Sequence, residues 1–315
     1  MIKTHREESV GHRARWAVAR ALRFAPVPRK AWLIAGVLLV PALAMRLFTS
    51  VYPFLQTVLL SFTDDSPFNA QRKWIGLENY RVLLADPVVV QAVTFTVMFA
   101  LLSTLAELVI GLALALLLNA NFRLRGLARA IVLIPWAVPA IVTALGFRFM
   151  FSDGFGIIPD VLGHFGVHIN WLTGPAAAQA AVIITNVWRS APFVALVILA
   201  GLQGIPVEVY QAAKVDGAGY LRTIWSIVIP LVTPLLVTMG VFMLIFQVGG
   251  FDVILGMTGG GPGTATQVLS YLAYQEAFVA LQYGRASAMA MLLFVMVLVV
   301  GLAATRLFRR TEVDL

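Results

Sequence analysis

Not one cysteine occurs among the 315 residues, which excludes disulfides and thiolate metal sites. Charge is almost as scarce. Only 12 % of residues are Asp, Glu, Lys or Arg, against about 25 % in an ordinary globular domain. Apolar residues make up 60 % of the chain and the mean hydropathy is +0.88. One water-soluble core cannot hide that much apolar surface, so the bilayer has to be the solvent. Histidine is limited to His5, His12, His164 and His168, all outside the apolar runs. His164 and His168 are four apart and can share a helix face, but two ligands without a third do not make a metal site. No G-x-x-x-x-G-K-[ST] loop is present to cradle phosphates. Neither is an acid or His cluster at metal-ligand spacing, nor a nucleophile beside a base, which argues against a membrane enzyme. No internal repeat or low-complexity tract is evident.

What the chain does have is long apolar runs. Runs of about 20 residues read as spans, and six are expected: Ala31–Phe62, Val89–Leu118, Ile131–Phe151, Ala178–Leu202, Ile224–Gly250 and Ser287–Phe308. Sixteen Lys and Arg residues fall on one side of this arrangement and four on the other. The rich side holds the N-terminal arm, the Arg123–Arg129 loop, Lys214, Arg222 and the tail. That bias places both termini in the cytoplasm. It also accounts for the net charge of +8 without invoking nucleic acid. Basic residues ahead of Pro41-Ala42-Leu43-Ala44 also fit a cleaved signal peptide. Cleavage, however, would leave five spans and put a basic loop or the tail on the wrong side, so an uncleaved first span is preferred. The expected organisation is a cytoplasmic basic arm over 1–30, a six-helix domain over 31–308 and a cytoplasmic tail over 309–315. The arm fits either an amphipathic surface helix or a disordered basic signal.

Three loops face outward. Residues 63–88 hold Trp74, Tyr80 and turn formers, enough for a small folded cap. Residues 152–177 carry Gly, Pro and His, with Trp171 at the interface. Residues 251–286 begin with a flexible MTGGGPGTAT turn and continue into an apolar stretch that suits a short surface helix. Prolines 41, 53, 135, 139, 192, 230 and 234 interrupt the spans. Each removes an i→i−4 bond and is expected to kink its helix. Freed carbonyls in lipid need protein or water as partners, which suggests a bundle around a translocation route.

The hairpin at 204–223 is the most specific feature. Gly204-Ile205-Pro206 ends span 4, Pro206 suits a first helical position, and Glu208 favours the N-terminal dipole end. Residues 207–215 form a short helix, Gly217 and Gly219 permit a sharp bend, and Asp216 can cap the next helical turn. Ala212, Ala213, Gly217 and Ala218 leave a surface nearly free of side chains, open to close approach by a partner.

QAAKVDGA (211–218) followed by IVIP (227–230) resembles the EAA motif of ABC importer permeases. YPFLQTVLLSFTD (52–64), IGLENY (75–80), LIPWAVP (133–139), NVWRSAPF (186–193) and TGGGPGTAT (258–266) resemble the carbohydrate branch of that family, and its first permease subunit in maltose-type and glycerol-phosphate-type importers. The resemblance implies a type I importer permease: all-α, polytopic, in the bacterial inner membrane, and a non-catalytic subunit. It implies a second permease, two ATPase subunits, an extracytoplasmic solute-binding protein and a carbohydrate-like solute. No cofactor would sit on this chain; ATP and Mg would be bound by the partner ATPases. Gln211, Ala212, Ala213, Asp216, Gly217 and Ala218 match the docking hairpin. Gln211 replaces the usual Glu, and Ile229 the usual Leu. An ion-coupled secondary transporter is the alternative, but Glu107 is the only mid-membrane acid for coupling.

Polar groups inside spans are functional candidates. Arg189 sits mid-span, where an unpaired charge costs about 2.5–3.5 kcal/mol. It suits an anionic solute group, or a structural pair with Glu107, or helix-end carbonyls. Arg46 and Arg148 either snorkel or pair. The resemblance to maltose-type permeases extends solute contacts to Asn186, Arg189, Ser190, Phe193, Gln247, Gly249 and Gly250, with Phe251 and Asp252 adjacent. Aromatic faces there would stack on a sugar ring, while amides and carboxylates would take its hydroxyls. Gly249 and Gly250 stand where maltose-type members have bulkier polar residues.

Overall fold

The computed structural model describes residues 29–311; most of the basic arm and the last residues of the tail lie outside the described residues. The chain divides into two compact units, Met1–Gln56 and Thr57–Leu315. In the first, α1 (Arg29–Arg46) passes through a π-helical turn, Leu47–Val51, into α2 (Tyr52–Leu60), which crosses the unit boundary. Val37, Leu43, Phe48 and Tyr52 on this rod are exposed.

The second unit continues with α3 (Glu78–Ala85), α4 (Pro87–Asn119), α5 (Arg125–Ala137), α6 (Ala140–Met150), α7 (Ile157–His164) and α8 (Pro175–Gln203). Then come α9 (Val207–Val215), α10 (Tyr220–Thr223), a second π turn at Ile224–Val228 and α11 (Ile229–Gly249). Next are α12 (Asp252–Met257), α13 (Leu269–Phe278) and α14 (Tyr283–Thr311). No strand occurs among the described residues, only an isolated bridge between Thr63 and Trp74. Among the described residues five helical rods are long and apolar enough to cross a membrane, and a bent pair, counted as one span, makes a sixth.

That bent pair corrects the third expected span. α5 and α6 meet at 89° instead of forming one rod. Val138 is extended, the conformation favoured before a proline, and Pro139 caps the new helix with ψ 137°. Elsewhere prolines break nothing: α1 runs through Pro41, α5 through Pro135, α8 through Pro192 and α11 through Pro234. Pro53 and Pro230 are accommodated differently. The N–H of Tyr52 bonds Leu47 O, and that of Ile229 bonds Ile224 O. Each closes a widened i→i−5 turn directly before a proline, which relieves the clash of the ring with the previous turn.

α4 and α8 pack side by side, closely enough that a Cβ on Gly111 would lie 2.7 Å from Val194 Cγ1. Small residues let backbones approach this way where lipid supplies no hydrophobic drive. α4 starts at an Asp86 cap that accepts from Val88 N at 2.9 Å, with Pro87 in its first turn. At its other end Arg129 donates to the orphan carbonyl of Leu118 at 3.2 Å.

Apolar packing falls into two main clusters along α4 and α8. The one nearer the 204–223 hairpin joins Ala115, Leu118, Ile198, Leu202, Val228 and Val232. The other joins Phe95, Phe99, Phe151, Ile254, Met257 and Tyr271. At that far end residues 63–88 fold against Thr63. Asn79 Nδ2 donates to the Ser61 and Thr63 carbonyls at 2.9 and 2.8 Å, and Tyr80 Oη donates to Ser61 Oγ at 2.8 Å. Gly284 N–H bonds Asp65 O at 3.1 Å. A Cβ on Gly284 would fall 2.0 Å from Thr63 O, so only glycine fits there.

The 251–286 segment departs from expectation. Ala265 through Leu272 are all buried, so α13 enters the core with its first half instead of lying on the surface. The TGGGPG stretch folds into a held loop, with Gly259, Gly260 and Gly263 at φ +58°, +88° and +59°. Gln179 Nε2 donates to Ala265 O at 2.7 Å, and Leu269 N–H to Thr96 Oγ1 at 2.8 Å.

Candidate functional site

Two places in the second unit concentrate the residues singled out from sequence. The first is the hairpin. α9 spans the nine residues expected for it and ends in a Schellman closure, with Ala218 N–H to Ala213 O at 2.9 Å and Gly217 N–H to Lys214 O at 3.1 Å. Gly217 supplies the left-handed turn at φ +74°. Gly219 sits at φ −70° and Asp216 makes no side-chain cap, so neither plays its expected local role. Pro206 precedes the first helical residue, as the cap position, with ψ 142°. Gln211, Ala212, Asp216 and Gly217 are exposed and Ala218 half-buried, whereas Ala213 is 3 % exposed. Ala213 therefore packs inward. Tyr210 beside it sits against the hairpin-side apolar cluster, and burial pushes its phenol above the ordinary tyrosine range.

The second place lies between the two apolar clusters. Here α4 contributes Ser103, Thr104 and Glu107, α8 contributes Asn186 and Ser190, and α11 contributes Gln247, all buried. Glu107 is fully buried, and its Oε1 accepts from Asn186 Nδ2 at 3.1 Å and Gln247 Nε2 at 2.8 Å. Three spans are tied through one carboxyl oxygen; the other, Oε2, has no partner. A salt bridge between Glu107 and Arg189 is one reading of the sequence. The structure gives Glu107 two amides instead. Among the described residues no acid approaches Arg189 within 4.0 Å, and its buried Nε is unbonded. Arg46 and Arg148 are exposed along their helices, consistent with snorkelling.

A cavity of about 20 Å³ opens beside this layer, lined by Asn186, Arg189, Gln247, Gly250, Phe251 and Asp252, with Phe99 and Phe246. It has room for about one water. Six of the nine expected path residues thus converge, and Ser190, Phe193 and Gly249 do not line the cavity. Phe193 lies two helical turns along α8 from Asn186, roughly 10 Å toward the hairpin. It stacks on Trp136 with centroids 5.2 Å apart and leans on Phe242 at 6.3 Å. These rings form an aromatic layer between the cavity and the hairpin. Sequence reasoning missed Trp136 and Phe242, because a single aromatic in an apolar run carries no pattern. It also read Glu107 as a counter-ion or a coupling acid, not as an acceptor for two amides.

A wider depression of about 750 Å³ lies over the 152–174 loop and includes Asp153, Asp160, His164 and His168. Asp153 accepts from Leu172 and Thr173 backbone N–H groups and from Thr173 Oγ1 at 2.8 Å, which closes the loop on itself. His164 Nδ1 donates to Asp160 O at 2.8 Å. Among the described residues no three His, Asp or Glu side chains gather as metal ligands would.

An all-helical bundle with long apolar rods, a polar layer buried in its middle and an exposed small-residue hairpin defines a multi-pass membrane component of transport type. Residues 107–313 match the family described as binding-protein-dependent transport system inner membrane component, and the chain belongs to that family. It is 38 % identical over 262 residues to the trehalose/maltose transport system permease protein MalF of Thermococcus litoralis, covering 83 % of this chain and 88 % of that one. It is 37 % identical over 282 residues to the sulfoquinovosyl glycerol transport system permease protein SmoG of Agrobacterium fabrum, covering 89 % and 92 %. Identity is 31 % over 288 residues to the sn-glycerol-3-phosphate transport system permease protein UgpA of Pectobacterium atrosepticum, covering 91 % and 96 %. The fold is that of a chain in the crystal structure of a bacterial alginate ABC transporter in complex with its alginate pentasaccharide-bound periplasmic protein. The TM-score is 0.78 at 24 % identity, over 90 % of this chain and 96 % of that one. The chain is accordingly a non-catalytic membrane component, and nothing in these likenesses favours the ion-coupled alternative.

Proposed function

We propose that this protein is the permease subunit of an ATP-driven importer for a sugar or sugar-like solute. The observation that carries the reading is the hairpin: a rigid, Schellman-closed bend that exposes Gln211, Ala212, Asp216 and Gly217 on a face with few side chains. Such a face suits a cleft on another protein. An ATPase subunit is the partner this family's architecture calls for, because the chain has no phosphate-binding loop of its own. Both termini and the hairpin then face the cytoplasm, as the basic loops require, with the arm over 1–30 and the tail over 309–315 flanking the permease domain. ATP and Mg are held by the ATPase pair, whose closure drags the hairpin and rocks the bundle. A solute-binding protein delivers the solute on the opposite face.

The solute class rests on likeness to permeases named for trehalose/maltose, sulfoquinovosyl glycerol and sn-glycerol 3-phosphate. The cavity supports it chemically, since Asn186, Gln247 and Arg189 offer hydroxyl-binding groups beside the Phe251 ring. At about 20 Å³ it is closed to any sugar in this conformation. A path therefore needs the bundle to open and a second permease to form its other wall.

The test is co-purification. An Ala212→Arg/Gly217→Arg double variant is expected to insert normally yet lose the ATPase subunits. Retained association with full transport would defeat the assignment. Solute-stimulated ATP hydrolysis in liposomes holding the whole complex, absent with permeases alone, checks the class of transporter.

A further inference from the structure

The two amides bound by Glu107 have no freedom in how they face the cavity. Glu107 Oε1 accepts from both side chains, so Asn186 and Gln247 each turn an NH2 group toward it. Asn186 Oδ1 and Gln247 Oε1 point the other way. No partner among the described residues takes either oxygen, and neither is among the fully buried unbonded atoms, so the slight exposure of the two side chains is at the cavity they line. Without Glu107 each amide could rotate by half a turn and present donors in place of acceptors.

We propose that Glu107 is a positioning residue for solute recognition: it fixes Asn186 and Gln247 so that their carbonyl oxygens form a paired acceptor for hydroxyl hydrogens of the solute. Arg189, which lines the same cavity, supplies the complementary donor. The layer then selects a solute presenting two hydroxyl donors next to an oxygen acceptor. Phe251 lies alongside and offers a ring face. Glu107 itself does not line the cavity and acts through the amides. The inference rests on the importer reading and deepens it.

Two measurements test it. In liposomes holding the complete complex, uptake of maltose, trehalose and sn-glycerol 3-phosphate first identifies an imported probe; failure of all three with the unaltered complex would count against the carbohydrate reading, not against the role of Glu107. For the imported probe, Glu107→Leu is expected to raise the half-saturating concentration about tenfold and to narrow discrimination against a monodeoxy analogue, as loss of one or two aligned hydrogen bonds does. Glu107→Gln keeps an acceptor oxygen and is expected to stay within about threefold of the original. A Glu107→Leu permease with unchanged half-saturation and discrimination overturns the proposal, as does one that loses only maximal rate.

The second measurement needs no solute and no loss of a polar group. Gln247→Glu sets two carboxylates against each other and is expected to lower the melting temperature of the complex. Glu107→Gln/Gln247→Glu restores a donor facing an acceptor and is expected to recover most of that loss. A double variant no more stable than Gln247→Glu would show that the pair does not orient these side chains.

Discussion

Ala212 and Ala213 are neighbours in one nine-residue helix, yet they serve opposite surfaces. Ala212 is exposed on a face that nothing among the described residues covers, while Ala213 is 3 % exposed against the body of the permease. The same contrast separates the hairpin from the Glu107 layer. Around Glu107, itself fully buried, three spans meet through one carboxyl oxygen. There the side chains carry the information. At the hairpin their near absence carries it, since a bare backbone bend held by its own hydrogen bonds can be approached by another protein. Small residues thus mean partner contact only where they are exposed, and packing where they are buried.

Variants at these positions sharpen the contrast. Ala212→Arg is expected to cut co-purified ATPase by more than about tenfold, the penalty for a large charged side chain where close fit is required, with melting of the permease unchanged. Ala213→Arg is expected to do the reverse, lowering permease stability because a charge is forced into a packed site. If the two behaved alike, the division between covered and open faces would be wrong. Gly284→Ala comes next: its Cβ would meet Thr63 O at 2.0 Å, and overpacking against backbone costs about 1–3 kcal/mol, visible as a lower melting temperature. Asn79→Ala strips one donor from the Ser61 and Thr63 carbonyls and is expected to cost about 1–2 kcal/mol.

The smallest effect is at the surface. Arg81 forks onto Glu78 at 2.6 and 2.8 Å, and this bond holds the Glu78 carboxyl below its ordinary range. A depressed carboxyl adds stability above its unfolded-state value and loses it as pH falls through the folded one. Both side chains are solvated, so Arg81→Ala is expected to leave melting at neutral pH unchanged, and any difference between the two proteins to vanish in acid.

Much of the architecture was legible because apolar run length and loop charge are one-dimensional signals. The second, fourth and fifth spans were placed within a few residues, as was the helix at 207–215. Proline was a weaker guide. Its effect depends on what the previous turn can do: a π turn absorbs Pro53 and Pro230, whereas at Pro139 an extended Val138 lets the chain turn by 89°. The burial of Leu269 and Tyr271 was hidden because a short apolar helix looks the same on a surface as in a core. At the site, Arg189 announced itself as a charge in an apolar run, and Asn186 and Gln247 came from the family resemblance. Their geometry did not, since the bond from Glu107 to Gln247 spans 140 positions. Phe193, named for a solute ring, stacks on Trp136 in this structure.

A cysteine-free chain makes the decisive measurement simple, because Ala212→Cys is then the only thiol of the permease. Labelling that thiol with a membrane-impermeant maleimide, in right-side-out and inside-out vesicles and with or without the ATPase pair, reads sidedness and coverage together. Reaction only in inside-out vesicles, blocked when the ATPase subunits are bound, is the expected result. Reaction from the outer face, or equal reaction with the ATPase present, would contradict the account.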